Sequence, residues 1–101
     1  MSKNIVLLCS AGMSTSILVT KMKDAAAKAD YACEINAYSL AEADEKVPEA
    51  DVVLLGPQVR FNLAKLQERF PDKKIDVINM QDYGTMNGEK VLTTARSLMQ
   101  D

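Results

Sequence analysis

The chain has 101 residues, 48% of them hydrophobic and 26% charged, with a formal net charge of -2, an ordinary balance for one globular domain. Lys and Arg are scattered among Asp and Glu, which gives no basic stripe for nucleic acid, and no stretch approaches the ~20 consecutive apolar residues of a membrane span. The chain contains no histidine, which excludes cysteine–histidine catalysis, a histidine metal site and histidine phosphorylation within this polypeptide.

The first apolar run covers residues 5–8, Ile-Val-Leu-Leu, and is expected to be a buried strand. Lys3 ahead of it and Leu8-Cys9-Ser10 behind it imitate a lipoprotein cleavage site. The run is nevertheless shorter than the ~7–15 residues of a signal-peptide apolar region, and bulky Leu8 stands where a small residue is wanted. From 14 to 29, Leu18, Met22, Ala25, Ala26 and Ala29 recur at three- and four-residue spacing, which predicts an amphipathic helix. A weaker strand signal runs over 33–37, followed by a short helix over 40–47 that stops before Pro48. A third strand covers 52–55, and a helix follows from about 59 to 70, halted by Pro71-Asp72. The fourth strand is 75–78. After the turn residues Asn87-Gly88, a last helix carries Val91, Leu92, Ala95, Leu98 and Met99 on one stripe.

Strand and helix alternate four times. The expected fold is an α/β three-layer sandwich with a four-stranded parallel sheet and right-handed crossovers, one domain spanning 1–101. Ligands in such folds sit at the carboxyl ends of the strands. Three segments are expected to meet there: 9–16, Gly56-Pro57-Gln58, and 79–84, read as a loop.

The segment after the first strand, Cys9-Ser10-Ala11-Gly12-Met13-Ser14-Thr15-Ser16, carries the chemistry. A strand that turns through small residues into a helix aims backbone N–H groups and the positive end of the helix dipole at one point, a preformed anion site. Gly12 supplies the backbone freedom such a cradle often needs. Ser10, Ser14, Thr15 and Ser16 add hydroxyls, and one of the last three is the expected helix cap. Helix N-termini favour the thiolate, the nucleophilic form of cysteine, so Cys9 reads as a nucleophile aimed at phosphorus in a phosphatase-like cysteine loop.

Other readings compete. Cys9 could be a small buried hydrophobe at a strand end. A nucleotide-phosphate loop lacks both GxGxxG and GxxxxGK[ST]. A small cysteine phosphatase needs an arginine six residues after the cysteine to clamp phosphate, and Thr15 stands there. Such an enzyme also needs an acid on a facing loop. Gly56-Pro57-Gln58 carries none, Asp51 precedes its strand, and Asp82 is the one facing candidate. Hydrolysis is disfavoured and transfer between partners is the expected chemistry. A thiol redox protein would need Cys9 and Cys33 within roughly 4.4–6.8 Å of each other at Cα. With only these two widely spaced cysteines and no CxxC, no disulfide framework or metal site is expected and a reducing cytoplasmic setting fits.

Together with Ala-Asp-Val-Val-Leu-Leu-Gly-Pro-Gln at 50–58 and the Tyr83-Gly84 pair after the fourth strand, this motif resembles the cytoplasmic IIB component of the lactose/cellobiose (chitobiose) branch of the bacterial sugar phosphotransferase system, over essentially the whole chain. The resemblance implies that Cys9 accepts a phosphoryl group from a phosphohistidine on a IIA partner. It then passes the group to a disaccharide of the cellobiose, chitobiose or lactose type translocated by a membrane IIC partner. It implies a phosphate-cradling loop of Ser10, Ala11, Gly12, Met13, Ser14, Thr15 and Ser16, no cofactor or metal, and a cytoplasmic protein held at the membrane through IIC. Pro57 and Gln58 are candidate site or partner contacts. Arg60 is read as solvated surface in preference to a phosphoryl or partner contact, and Tyr83 equally as a partner contact or as the cap of a strand-end loop. Met13 is expected to project outward and join Val59 or Phe61 in an exposed apolar rim that docks IIA, while Cys33 is expected to be structural.

Overall fold

In the computed structural model, which describes residues 2–10 and 14–101, the first apolar run lies inside β1 (Lys3–Cys9), longer than its apolar stretch at both ends. The chain continues as α1 (Ser14–Lys28), β2 (Cys33–Ser39), α2 (Ala43–Lys46), β3 (Val52–Leu55), α3 (Leu63–Arg69), β4 (Ile75–Val77), α4 (Met80–Gly84) and α5 (Gly88–Met99). The four strands form one parallel sheet in the order β2-β1-β3-β4.

The two-residue side-chain period sorts the core. Ile5 and Leu7 of β1 and Val52 and Leu54 of β3 face Leu18, Val19, Met22, Val91, Leu92 and Ala95. Val6 and Leu8, with Val53 and Leu55, face Ala43, Val47, Val59 and Leu66. Helices therefore cover both faces, which is why β1 and β3 are apolar without interruption. β2 is an edge strand in which Ile35 alone is fully buried. That half-wet pattern is what made its sequence signal weak, and the strand runs on through Tyr38 and Ser39.

Helix α1 connects β1 to β2 across one face. The α2 and α3 segments lead in the opposite direction across the other face, so all crossovers have the same hand. At the seam between α1 and α5, Gly88 is buried, and a Cβ there would stand 2.4 Å from the backbone carbonyl carbon of Lys21. Only glycine lets the two helices approach so closely. The Asn87 side-chain oxygen accepts from the Lys90 N–H at 3.1 Å and caps α5.

Three expectations are corrected. The segment 40–49 is not one helix ending before Pro48: α2 is a single turn flanked by 3-10 turns, and Pro48 sits inside the second, where its missing N–H costs nothing. The helix expected from 59 to 70 is a 3-10 stretch, Pro57–Asn62, broken at Val59 (φ -114°, ψ 23°), followed by α3. The segment expected as a loop over 79–84 contains α4, five residues capped by the Asn79 side-chain oxygen, which accepts from the Gln81 and Asp82 N–H groups at 2.9 and 3.1 Å.

Candidate functional site

The outgoing connections of β1 and β3 leave in opposite directions, so the switch point of the sheet lies between the carboxyl ends of these neighbouring strands. Cys9, the last residue of β1, stands there and is 2% exposed. Its Sγ lies 3.4 Å from Oγ1 of Thr15, a fully buried side chain in the first turn of α1. The strand-to-helix turn has brought the two ends of the cysteine motif into side-chain contact. Thr15 offers the sulfur a hydroxyl where a cysteine phosphatase has a guanidinium, a hydrogen bond with no charge.

Backbone and side chains of the neighbouring strand ends close around this pair. The Gly56 N–H donates to the Leu8 carbonyl at 2.9 Å, extending the β1–β3 ladder beyond β3. A Cβ on Gly56 would lie 3.6 Å from Cys9 Cβ and 2.9 Å from Gln58 Oε1, so the carboxamide end would have to shift to admit a side chain there. Gln58 Nε2 donates to Tyr83 Oη at 3.3 Å. Tyr83 is buried in α4 against the α1/α5 layer. From the other side, the Ser39 hydroxyl donates to the Ser10 carbonyl at 3.4 Å and also accepts from the Ala41 N–H at 3.2 Å.

The three segments expected to meet do so. Of the cysteine loop, Ser10 is exposed, α1 is described from Ser14 onward, and Ser16 is exposed with its carbonyl accepting from Thr20 Oγ1 at 3.3 Å. Ala11, Gly12 and Met13 lie outside the described residues, and with them the helix cap and the Met13 rim. Val59 does not join such a rim, because it is 6% exposed and packs in the α2/α3 layer, whereas Phe61 is 80% exposed. Pro57 is buried and shapes the turn, and Gln58 is exposed.

Arg60 Nη1 donates to the Pro57 carbonyl at 2.9 Å, and its guanidinium lies 4.6 Å from the Phe61 ring centre, so the cation is engaged by its own turn. Asp82 faces a small cleft with Leu54, Ile78, Val91 and Thr94, on the α1/α5 side. Asp51 lies at the opposite end of β1, where its Oδ2 accepts from the Asn4 N–H at 2.7 Å. Cys33 pairs with Lys3 and Cys9 pairs with Ser39. Six residues of strand, about 20 Å, separate the two cysteines along the sheet. That distance overturns the redox reading.

Sequence reasoning missed Ser39 and the contacts that Gly56 and Thr15 make. Ser39 carries no signal beyond its place at the end of a weak strand. Gly56 stood in a noted motif, but its place between Cys9 and the Gln58 carboxamide is a fact of the assembled sheet. Thr15 was read as part of the phosphate-cradling loop, as a cap candidate and as the residue in place of an arginine, and its burial against the sulfur follows only once α1 has docked.

The profile of the family described as PTS system, lactose/cellobiose-specific IIB subunit matches residues 4–94. The chain is 47% identical over 104 aligned positions to the PTS system galactose-specific EIIB component of Lactococcus lactis subsp. cremoris (strain MG1363), with 96% of each protein covered. It is equally similar, again with 96% of each covered, to the PTS system cellobiose-specific EIIB component of Lactococcus lactis subsp. lactis (strain IL1403). The solution structure of the cellobiose-specific phosphotransferase IIB component from Borrelia burgdorferi superposes with a TM-score of 0.83 at 45% identity, covering 99% of this chain and 94% of that one.

Proposed function

The chain belongs to the lactose/cellobiose-specific IIB family of the phosphotransferase system, and from that premise we propose that residues 1–101 form a single phosphocarrier domain whose acceptor is Cys9. A IIA partner presents a phosphohistidine. The P–N bond breaks as the Cys9 sulfur bonds to phosphorus and the thiol proton passes to the departing nitrogen, giving S-phosphocysteine and a neutral imidazole on IIA. In the second step a sugar hydroxyl carried by membrane IIC attacks phosphorus. The S–P bond breaks and the departing sulfur takes up the hydroxyl proton, which restores the Cys9 thiol.

The observation that carries this reading is the buried thiol at the switch point, 3.4 Å from Thr15 Oγ1 in the first turn of α1. Loose phosphoryl transfer asks for positioning and donors around the equatorial oxygens more than for covalent help. Hydroxyls of Ser10, Ser14, Thr15 and Ser16 and the amides of the loop from Ser10 through Ala11, Gly12 and Met13 are the donors in this proposal. The absence of histidine assigns the donor imidazole to another polypeptide. Gly56-Pro57-Gln58 carries no acid and Asp51 lies at the opposite end of β1, which favours holding the group over hydrolysing it.

The acceptor is a disaccharide of the cellobiose, chitobiose or lactose type. Equal identity to relatives named for galactose and for cellobiose supports sugar choice residing in IIC and not in this chain. No helix among the described residues is long and apolar enough to cross a membrane, and the protein works in the cytoplasm, held at the bilayer through IIC.

The test is intact mass and peptide mapping after incubation with phosphoenolpyruvate, the general phosphotransferase proteins and a cognate IIA. One phosphoryl adduct on the Cys9 peptide, absent from Cys9→Ala, is the expected result. No adduct, with inorganic phosphate released from an aryl phosphate, would replace the carrier by a phosphatase.

A further inference from the structure

Gln58 is a polar side chain that bends back over its own strand end. Its Oε1 lies 2.9 Å from where a Gly56 Cβ would stand, a point itself 3.6 Å from the Cys9 Cβ, and its Nε2 donates to Tyr83 Oη at 3.3 Å. The anchor is firm: Tyr83 is buried in α4, and α4 is itself capped by Asn79. A carboxamide has two N–H donors and an acceptor oxygen, so the bond to Tyr83 leaves one donor for a ligand oxygen.

We infer that Tyr83 is a positioning residue that holds the Gln58 carboxamide against the phosphoryl group on Cys9, and that the neutrality of this side chain is what keeps the phosphocysteine from hydrolysing. The inference rests on the carrier reading and assigns Gln58 a role within it. Hydrolysis forms a bond from water oxygen to phosphorus, breaks the S–P bond, releases thiolate and delivers the water proton to a base. Glutamine is no base at any ordinary pH. A glutamate of the same length is one, and a positioned general base accelerates such steps by about 10²–10⁴-fold.

The experiment follows the decay of phosphorylated protein after removal of IIA, for wild type, Gln58→Glu, Gln58→Ala and Gln58→Glu/Tyr83→Phe, by intact mass across pH. The expected result is a phosphoprotein half-life at least about tenfold shorter in Gln58→Glu, with the loss disappearing as the introduced carboxylate is protonated. Gln58→Ala, which removes the carboxamide without supplying a base, outlives Gln58→Glu, and adding Tyr83→Phe to Gln58→Glu restores most of the lifetime, because the carboxylate is no longer held. Loss of labelling in Gln58→Glu alone, with Gln58→Ala still labelled, would equally place the side chain against the phosphoryl group, through charge repulsion.

A Gln58→Glu adduct as durable as wild type overturns the inference. So does a Gln58→Ala adduct as labile as the glutamate variant, since bulk and not neutrality would then be the barrier. A lifetime in the double variant equal to that of Gln58→Glu removes Tyr83 from it. Wild type that takes no adduct sinks the carrier reading and this inference together, whereas a labelled wild type with unresponsive variants sinks this inference alone.

Discussion

The two cysteines occupy neighbouring parallel strands, and their surroundings differ in every respect that matters for chemistry. Around Cys33, at the amino end of the sheet, polar groups are tied to one another. The Arg96 guanidinium lies 4.1 Å from the centre of the Tyr31 ring and its Nε donates to the Asp101 carbonyl at 3.3 Å. Tyr31 Oη donates to Asp101 Oδ2 at 2.5 Å. Lys73 closes the same end over the Pro48 and Ala50 carbonyls at 2.8 and 3.1 Å. Burial pushes the half-buried Cys33 thiol upward, with Arg96 opposing it in part. Around Cys9, at the carboxyl end, the thiol is buried beside a hydroxyl. Among the described residues, the large exposed apolar side chains, Ile17, Phe61 and Met80, all follow the carboxyl ends of strands. Position relative to strand direction, and not residue type, separates the proposed acceptor Cys9 from Cys33.

The sharpest way to break this contrast is to remove each thiol in turn. Cys9→Ala is expected to abolish the phosphoryl adduct and Cys33→Ala to leave its yield unchanged, as read by intact mass; equal losses would erase the distinction. Next in size is Gly88→Ala at the α1–α5 seam that joins the two ends. Its methyl meets backbone and not a flexible side-chain tip, so overpacking should cost about 1–3 kcal/mol in denaturant unfolding.

A subtler probe is Thr15→Val, which keeps the shape of the side chain and deletes the hydroxyl beside sulfur. One lost hydrogen bond of about 1 kcal/mol corresponds to roughly fivefold slower acceptance from IIA, measured by rapid quench. The smallest effect belongs to the amino end. Burial first, then the bond to Asp101, raises the Tyr31 phenol from 10.0 to about 12. The fold prefers the protonated phenol, so this contribution to stability is whole below about pH 10 and is lost as pH rises through about 12. Melting temperatures should fall over that range, and Tyr31→Phe should flatten the fall without altering transfer at neutral pH.

Much of this arrangement was legible in the sequence. β1 and β3 were readable because strands buried on both faces carry unbroken apolar runs, and that reading placed Cys9 at the carboxyl end of a buried strand. Ser39 and the end of β2 were not readable, since an edge strand with one fully buried residue leaves little pattern. The helix α4 escaped because five residues cannot display a period, and its signal, Asn79 as a cap, looks like any turn asparagine. Of the contacts that depend on two elements docking, Cys9 with Thr15 had only the six-residue spacing of the motif as a trace, and Gln58 with Tyr83 had none.

β1 is hydrogen-bonded along both sides, to β2 and to β3, and covered on both faces. Its amides should therefore exchange with solvent deuterium only through opening of the whole domain, while the segments after β3 and β4 exchange through smaller fluctuations. The proposed acceptor is thus rooted in the slowest-opening part of the molecule and the groups that surround it belong to faster ones. On the carrier proposal a docking partner could rearrange the rim repeatedly without displacing the sulfur, and each phosphoryl group would arrive at and depart from the same fixed point.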